Sequence, residues 1–564
     1  MFRKNNGFHA PSCNEPNDRS CWVNGFDVNT DWDDRHPITG ATRRYEFFLT
    51  EIDKFVGPDG QVKENAMLIN DWGDRIEVNV VNNLRDNGTS IHWHGIRMQH
   101  NNINDGVPGV TECPIPPGSS KTYSFVASQY GTSWYHSHYS SQYGNGIVGT
   151  IQINGPSSQP YDIDLGVYPI TDWYYTSVDK LLARVYDAEN PIVPGKPGSP
   201  PPSDNVLFNG TNINPTGSGG EYSKITLTRG KRHRLRLINA SVDNTYTVSI
   251  VGHKMTVIQT DFVPIHPFTT EQIYMTVGQR HDIIINANND IDNYWLNVTF
   301  SSTQACGTSN NAHPAAIVHY KGASDDLPGD PGKPPVDSHC SDSNEFVPII
   351  RRRAPRKLFS AVPSNTLPAS MVVNTTSNQV LWALNGSSIN LSWEKPTLEY
   401  VRQDNNSYLT HQNVISLAKS EEWSYWVIQN LSPIPHPMHL HGHDFVLLGR
   451  SPSLANPLDD GNEPRYFDAS SDAEGLSWRN PTRRDTTVLP GWGWLVVAFE
   501  PSNPGSWVFH CHIAWHVSQG FSVQFLEHPS KISDEMDLGE LTDNCEAWRE
   551  YAPTNRFLKG DSGI

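Results

Sequence analysis

Residues 506–516 read Ser-Trp-Val-Phe-His-Cys-His-Ile-Ala-Trp-His, and residues 133–138 read Ser-Trp-Tyr-His-Ser-His. In both stretches a serine–tryptophan pair leads into a His-x-His unit. The middle of the chain has a counterpart without histidines, Asn293-Tyr-Trp-Leu-Asn-Val-Thr299. The pattern indicates related β-units, of which the first and the third carry ligand-type side chains.

Three further segments support a repeat. Residues 75–82, 231–239 and 423–430 each alternate apolar and polar residues with period two, and each ends at an asparagine. Segments bounded by Gly, Pro, Asn and Asp recur throughout, and long helical periods are scarce. We therefore expect an all-β chain with a threefold internal repeat, at residues 1–160, 161–340 and 341–564. The Pro- and Gly-rich stretches at 193–202 and 327–336 are read as loops or linkers.

Size and charge limit the class of protein. A chain of 564 residues suggests three or four domains. Its net charge of −18 argues against nucleic acid or an anionic membrane surface as a partner. No apolar run approaches the roughly 20 residues of a membrane span, so a soluble protein is expected. The first 13 residues lack an apolar signal-peptide core, so a secreted protein would begin here at a mature or engineered start.

Sequons and cysteines favour secretion to the extracellular space. The nine Asn-x-Ser/Thr sequons are at Asn87, Asn209, Asn239, Asn297, Asn374, Asn385, Asn390, Asn405 and Asn430. The seven cysteines are Cys13, Cys21, Cys113, Cys306, Cys340, Cys511 and Cys545. Six of them can pair as disulfides in an oxidising compartment. Cys511 is the candidate for the unpaired thiol because it alone stands between two histidines.

The histidines form far more His-x-His pairs than chance allows. About one pair is expected for 23 histidines in this length, and there are five. The pairs are His92/His94, His136/His138, His439/His441, His441/His443 and His510/His512. On a strand, residues i and i+2 share a face with Cα atoms about 6.5–7 Å apart, which suits two neighbouring metal ions. Imidazole favours copper, zinc, iron or nickel, and a redox role would exclude zinc.

Cys511 favours copper. On an extended strand its side chain points away from those of His510 and His512. A thiolate and two more histidines form a trigonal blue-copper site, and His436 and His516 are free for that role. The backbone at Cys511 would then connect two metal centres over a short covalent path.

Four segments together resemble the copper-binding motifs of the multicopper oxidases, and they occur in the family's order. They are His92-Trp-His-Gly95, Trp134-Tyr-His-Ser-His138, His436-Pro-Met-His-Leu-His-Gly-His443 and His510-Cys-His-Ile-Ala-Trp-His516. The resemblance implies three consecutive cupredoxin-like domains, each a Greek-key β-sandwich, and four copper ions. It implies that the second domain supplies no copper ligand and lines the substrate pocket.

The resemblance also implies a role for each ligand. The type 1 copper would be bound by His436, Cys511 and His516, the type 2 copper by His92 and His439, and the type 3 pair by His94, His136, His138, His441, His510 and His512. His443 has no ligand role in the family. Phe521 stands at the axial position, where many members have methionine. Because phenylalanine cannot coordinate, a relatively high reduction potential is expected.

Within the family the chain most resembles the ascomycete laccases. The end Asp561-Ser562-Gly563-Ile564 is similar to their C-terminal plug, although theirs usually closes in leucine. The stretch from Asn297 to Cys306 is typical of their second domain. The resemblance implies the disulfides Cys13–Cys21, Cys306–Cys340 and Cys113–Cys545.

The implied activity is one-electron oxidation of phenols or aromatic amines beside His516, coupled to reduction of dioxygen to water. Asp243 matches the family's substrate-binding acid, and Asp105 matches an acid that assists proton delivery. Each has an ordinary alternative, a loop aspartate for Asp243 and an Asp-Gly turn for Asp105. Ala514 replaces an acid that some relatives carry, which puts that proton route in doubt.

Other readings stay open at this point. A ferroxidase or a bilirubin oxidase would carry the same motifs, and a copper-storage or electron-transfer protein would use copper without oxygen uptake. A monomer is expected. The sequence leaves open the natural substrate, including whether the role is lignin degradation, and also the pH optimum, the reduction potential and which sequons are used.

Overall fold

The strands that end in asparagine occupy equivalent places in three sheets of the computed structural model. The structure describes residues 13–23, 25–50, 67–343, 346–417, 423–555 and 559–564. Residues 1–12, which make up nearly all of the amino-terminal start discussed above, lie outside these ranges. No helix in the described part of the chain is long and apolar enough to cross a membrane.

The first unit contains two sheets and a short hairpin. Its strands are β1 (Cys21–Val23), β2 (Phe26–Asp27), β3 (Thr42–Thr50), β4 (Met67–Asp71), β5 (Arg75–Asn83), β6 (His92–Trp93), β7 (Ser120–Val126), β8 (Gly131–His136) and β9 (Val148–Asn154). One sheet has the order β3-β5-β7 and the other β4-β9-β8-β6.

The second unit has a six-stranded and a five-stranded sheet and the helix α1 (Val178–Tyr186). Its strands are β10 (Ile163–Trp173), β11 (Asn205–Phe208), β12 (Lys224–Leu227), β13 (Arg232–Asn239), β14 (Tyr246–Ile250), β15 (Met255–Thr260), β16 (Val263–Thr270), β17 (Gln272–Met275), β18 (Arg280–Asn286), β19 (Asn293–Thr299) and β20 (Ala315–Tyr320). The sheet orders are β11-β10-β13-β18-β15-β16 and β12-β20-β19-β14-β17.

The third unit repeats this plan. Its strands are β21 (Thr366–Asn374), β22 (Gln379–Leu384), β23 (Val414–Leu417), β24 (Ser424–Asn430), β25 (His436–Leu440), β26 (Phe445–Arg450), β27 (Arg483–Arg484), β28 (Thr486–Leu489), β29 (Trp494–Phe499), β30 (Gly505–Cys511) and β31 (Ser522–Glu527). The sheet orders are β22-β21-β24-β29-β26-β27 and β23-β31-β30-β25-β28. Its helices are α2 (Thr397–Arg402), α3 (Ala514–Ser518), α4 (Pro529–Glu535) and α5 (Gly539–Tyr551).

The sheet topology contains the predicted repeat. The strand pairs β3 and β5, β10 and β13, and β21 and β24 are all parallel, and they occupy the same place in their sheets. The strands β8, β19 and β30, which carry the Ser-Trp motif or its counterpart, each lie antiparallel to the strand that follows them. The chain is therefore all-β with three related cupredoxin-like units. The boundaries near residues 160 and 340 stay a prediction.

The asparagine at the end of each repeated strand forms the same set of hydrogen bonds in all three units. The Nδ2 groups of Asn82, Asn239 and Asn430 each donate to two backbone carbonyl oxygens, at 2.7–3.0 Å. Their Oδ1 atoms each accept a bond from the backbone N–H two residues later. Since all three side chains are fully buried, they replace hydrogen bonds that the loop backbone would otherwise lack.

This arrangement bears on the glycosylation prediction at two of the nine sequons. Asn239 and Asn430 are both 0% exposed, and the amide nitrogen that would carry a glycan is already hydrogen-bonded. Burial argues against a glycan at these two asparagines, and the use of all nine sequons stays a prediction.

Disulfides connect distant parts of the chain. The structure contains Cys13–Cys21, Cys306–Cys340 and Cys113–Cys545, the last spanning 432 residues between the first unit and α5. Cys511 is buried and unpaired. A hydrophobic cluster around α4 and α5, which includes Trp393 and Trp548, packs this carboxy-terminal region against the first unit.

Candidate metal centre

The pairing of β25 with β30 places a thiol and two imidazoles on opposite faces of one sheet. Cys511 ends β30, and its backbone lies opposite Met438 of β25, while His510 lies opposite His439. Because side chains alternate along a strand, the Cys511 thiol faces one side and the flanking imidazoles face the other.

On the thiol side, Cys511 meets two histidines. Its Sγ lies 3.6 Å from Nδ1 of His436 and 3.6 Å from Nδ1 of His516, and these two nitrogens are 3.2 Å apart. All three side chains are buried. Burial raises the pKa of the Cys511 thiol well above its ordinary value and lowers the pKa of His516 to about 3. Neutral imidazoles beside a buried thiol form a donor set in which a soft cation would convert the thiol to thiolate.

Aromatic rings surround the three donor atoms of Cys511, His436 and His516, which together we call the S/N/N site. The Phe521 ring is fully buried and lies edge-on to His436 at 4.7 Å between ring centroids. Trp382 of β22 stacks on Phe521 at 5.4 Å and contacts His436 and His516, each at 4.7 Å. Phe521 offers no donor atom, so the site is trigonal and apolar. No sequence motif marks Trp382.

The opposite face belongs to an eight-histidine cluster between the first and third units. Its members, brought by β6, β8, β25 and β30 and the residues that follow them, are His92, His94, His136, His138, His439, His441, His510 and His512. Two pairs of facing nitrogens mark its centre: His441 Nε2 is 3.1 Å from His510 Nε2, and His94 Nδ1 is 3.2 Å from His512 Nε2.

Hydrogen bonds orient the imidazoles. Nδ1 of His92, His136 and His439 lies 2.8–3.0 Å from the backbone carbonyl of Asp105, Ser137 and Asp485 respectively. A carbonyl can only accept, so each Nδ1 is protonated and each Nε2 presents a lone pair. Those three Nε2 atoms are buried and have no hydrogen-bond partner among the described residues.

The electrostatics of the cluster suit a metal. Burial and the neighbouring histidines lower the pKa of His94, His136, His138, His441 and His512 well below the ordinary value. Neutral imidazole is the metal-binding form, and unpartnered buried nitrogens are costly unless a cation or water meets them. The cluster and the S/N/N site therefore fit copper ions.

Asp105 lies against the cluster. Its Oδ2 is 2.8 Å from Nδ1 of His441, and its side chain is fully buried. Asp105 directly follows a 3-10 turn, Asn102–Asn104, and precedes Gly106, which has φ +82° and where a Cβ would lie 1.8 Å from the carbonyl oxygen of Ile91. The turn thus brings the carboxylate to the histidines.

Asp243 lies in a loop that packs against the segment leading to His516, on the same side as the S/N/N site. The backbone N–H of Ala514 donates to the Val242 carbonyl at 2.9 Å, which fixes the Asp243 loop on the segment that precedes His516. Asp172 accepts the backbone N–H groups of Val242 and Asp243 at 2.8 and 2.9 Å. Burial and the charge of Asp172 raise the pKa of Asp243 to about 8, and burial raises the pKa of Asp172 to about 6. No sequence motif marks Asp172, which lies in β10.

The carboxy-terminal residues are buried beside the eight-histidine cluster. Ile564 is 1% exposed and shares a small cavity with His136, His138, His510 and His512. Asp561 bonds to Ser140, Ser562 Oγ donates to the Val517 carbonyl at 2.8 Å, and Trp393 Nε1 donates to the Gly563 carbonyl at 2.9 Å.

One histidine of the motifs lies elsewhere. His443 Nε2 is 2.7 Å from Oε1 of buried Glu527, and its ring packs on Phe499. His443 therefore pairs with Glu527 and is not a member of the eight-histidine cluster.

Comparisons with known proteins agree with this geometry. Three models of the multicopper oxidase family match residues 48–158, 165–323 and 376–531. Laccase-1 of Melanocarpus albomyces is 51% identical over 98% of this chain and 90% of its own length. Laccase-2 of Podospora anserina is 49% identical over 98% and 90%. The crystal structure of the laccase from Botrytis aclada has a TM-score of 0.85 at 36% identity, covering 98% of this chain and 99% of that one.

Proposed function

Since the chain belongs to the multicopper oxidase family, and within it to the fungal laccases, we propose that the S/N/N site binds the type 1 copper and the eight-histidine cluster binds the other three. The activity is oxidation of phenols coupled to reduction of dioxygen. Four copper ions supply the chemistry when bound, one exchanging single electrons with the phenol and three reducing dioxygen to water. His92 and His439 belong to the type 2 copper in this proposal, and the other six imidazoles belong to the type 3 pair.

The observation that carries the proposal is the position of Cys511. Its Sγ lies 3.6 Å from Nδ1 of both His436 and His516, and its backbone continues directly into His510 and His512. A single residue therefore belongs to one centre and is covalently bonded to ligands of the other. A structural or storage site has no need of that connection.

Asp243 supports a phenolic substrate. Oxidising a phenol by one electron makes it a strong acid, so a nearby base assists. A carboxyl with a pKa of about 8 is partly protonated and partly ionised near neutral pH, and its ionised fraction can accept a proton. We assign this role to Asp243, with substrate beside His516, and include aromatic amines as substrates because they also release a proton.

Asp105 is assigned to proton delivery. Its Oδ2 contacts His441 and its backbone carbonyl contacts His92, so one residue meets imidazoles of two different coppers in the proposed assignment. Reduction of dioxygen to water consumes protons at this cluster. Ala514 has no carboxyl group, so we assign this step to Asp105, whose Oδ2 lies 2.8 Å from Nδ1 of His441.

The tail from Asp561 to Ile564 is proposed to close the cluster to solvent. Ile564 lines the cavity next to four ligand imidazoles, and its side chain is almost completely buried. An apolar side chain in this position would keep bulk water away from the site at which bound copper would reduce dioxygen.

Secretion as a monomer is also proposed. Three disulfides favour an oxidising compartment. The seven sequons other than the buried Asn239 and Asn430 are Asn87, Asn209, Asn297, Asn374, Asn385, Asn390 and Asn405, all exposed or half-buried. The net charge of −18 is unsuited to nucleic acid or an anionic membrane.

The test is a copper count with a visible and an electron paramagnetic resonance spectrum. We expect about four coppers per chain, a blue thiolate absorbance, one type 2 signal and oxygen uptake with a methoxyphenol. Steady-state rates on Fe(II) and bilirubin separate a laccase from other members of the family. A chain with a full copper complement that oxidises Fe(II) far faster than phenols would contradict the proposal.

A further inference from the structure

An ion pair connects the second unit, which contributes none of the proposed copper ligands, to the eight-histidine cluster. Arg280, the first residue of β18, donates from Nη1 to Oδ1 of Asp485 and from Nη2 to Oδ2, both at 2.7 Å. Both side chains are 0% exposed. Two parallel charge-assisted bonds fix the plane of the carboxylate as well as its position.

Asp485 in turn orients two imidazoles through hydrogen bonds. Its Oδ1 lies 3.3 Å from Nε2 of His94, and its backbone carbonyl oxygen lies 2.9 Å from Nδ1 of His439. His94 differs from the other oriented imidazoles because its Nε2 faces the carboxylate, so its Nδ1 faces His512 Nε2 at 3.2 Å. A carboxylate held by arginine can only accept, and it therefore keeps the proton of His94 on Nε2.

Asp485 could instead be read as a metal ligand, because its oxygen, His94 and His439 lie close together. The guanidinium argues against that reading. Both carboxylate oxygens already accept bonds from Arg280, and a cation in the same place would lie beside a fixed positive charge.

Two glycines show how closely this pair and its loop approach the cluster. A Cβ at Gly95, directly after His94, would lie 2.5 Å from both Arg280 Nη2 and Asp485 Oδ2. Gly278, two residues before Arg280, would place a Cβ 3.0 Å from Cε1 of His94. The glycine of the first histidine motif thus makes room for the ion pair.

A second carboxylate anchors the same contact. Asp261, also in the second unit, accepts the backbone N–H of Arg280 at 3.1 Å through Oδ1. Its Oδ2 accepts the backbone N–H of Asp485 at 3.1 Å. The segment that carries Asp485 is therefore held at its backbone and at its side chain by the second unit.

We propose that Arg280 is a positioning residue of the three-copper centre, which holds Asp485 so that His94 presents Nδ1 and His439 presents Nε2 to the metals. The inference rests on the proposed function, in which both histidines are copper ligands. The second unit, which supplies no copper ligand of its own, would then orient two ligands of the cluster.

The test compares Arg280→Gln and Arg280→Lys with Arg234→Gln and Arg234→Lys. Arg234 is a matched control because it is equally buried and pairs with Asp282 at 2.5 Å, yet Asp282 contacts no proposed ligand among the described residues. Copper per chain, the type 2 resonance signal and the blue absorbance are measured after copper is titrated into each apoprotein. Thermal melting of the apoproteins reports folding separately.

We expect Arg280→Gln to weaken copper binding at the cluster by roughly ten- to a hundredfold and to alter the type 2 signal, with the blue absorbance kept. Arg280→Lys should bind copper more tightly than Arg280→Gln but less tightly than the parent. Lysine keeps the positive charge but cannot form the two parallel hydrogen bonds to the carboxylate. The Arg234 variants should bind copper like the parent. Copper affinity and type 2 signals that match between the two sets of variants would overturn the inference.

If Arg280→Gln does not fold, Arg280→Lys against Arg234→Lys decides by the same readouts. The parent serves as the check on the proposed function: a parent without four coppers and a type 2 signal would overturn that function, whereas a normal parent with normal Arg280 variants would overturn only this inference.

Discussion

His510 and Cys511 are consecutive residues of one strand, and their side chains belong to two different centres. His510 Nε2 lies 3.1 Å from His441 Nε2, while Cys511 Sγ lies 3.6 Å from His436 Nδ1 on the other face. Both side chains are buried. A strand is the only regular structure that separates neighbouring side chains this way while joining them through a single peptide unit.

Replacing Cys511 with serine should remove the type 1 copper and leave the cluster filled. A hydroxyl is a poor ligand for copper, and the histidines of the cluster do not depend on the thiol. We expect the blue absorbance and phenol oxidation to be abolished while about three coppers per chain stay bound. Copper analysis and the visible spectrum check this, and normal phenol turnover by the variant would show that the two centres are not connected through Cys511.

Replacing Asp243 with asparagine should change the pH profile for phenols. The carboxyl has a pKa of about 8, so its ionised, proton-accepting form increases as the pH rises toward that value. In the parent, phenol turnover relative to that of ferrocyanide, which releases no proton, should therefore increase with pH over this range. In the variant the ratio should be flat and, at the upper end, about a hundredfold lower.

The ferrocyanide rate is the control for that experiment, because it reports electron transfer without a proton. An equal effect of Asp243→Asn on both donors at every pH would mean that Asp243 only supports the local structure.

Deleting residues 561–564 should open the cluster to solvent. The deletion removes the buried Ile564 side chain and its contacts with the cavity beside the ligand imidazoles. We expect a chelator to extract cluster copper several-fold faster, with type 1 copper lost at the parent's rate. The variant Ile564→Leu keeps an apolar side chain of the same volume and should behave like the parent. Unchanged extraction after the deletion would make the segment a simple tail.

Glycans should be absent from Asn239 and Asn430 in protein secreted by a fungal host. Both side chains are buried and donate two hydrogen bonds each. Mass-spectrometric mapping of glycopeptides checks this, and a glycan on either asparagine would contradict the packing described above.

The same residues should matter for stability. Asn430→Asp keeps the size of the side chain but loses both donated bonds, which should cost about 1–3 kcal/mol in the free energy of unfolding. Asn374→Asp, at an exposed sequon, should change it by less than about 0.5 kcal/mol. Denaturant unfolding of both variants makes the comparison.

The sequence alone determined the repeat and the ligand types. Period-two alternation and the recurring terminal asparagine predict strands, and His-x-His spacing fixes which imidazoles share a face, because both are properties of a few consecutive residues. The odd number of cysteines and the place of Cys511 between two histidines likewise needed no fold.

Only the tertiary structure decided how the histidines turn and what holds them. Trp382, Asp172, Asp485 and Arg280 stand in stretches without any motif, and each acts on a residue that is distant in the chain. Which nitrogen of an imidazole faces the centre depends on the acceptor behind the ring, such as the Asp105 carbonyl behind His92. Burial, which raises the pKa of Asp243 and leaves two sequons inaccessible, is likewise a property of the packed units, since no local pattern specifies which surfaces meet.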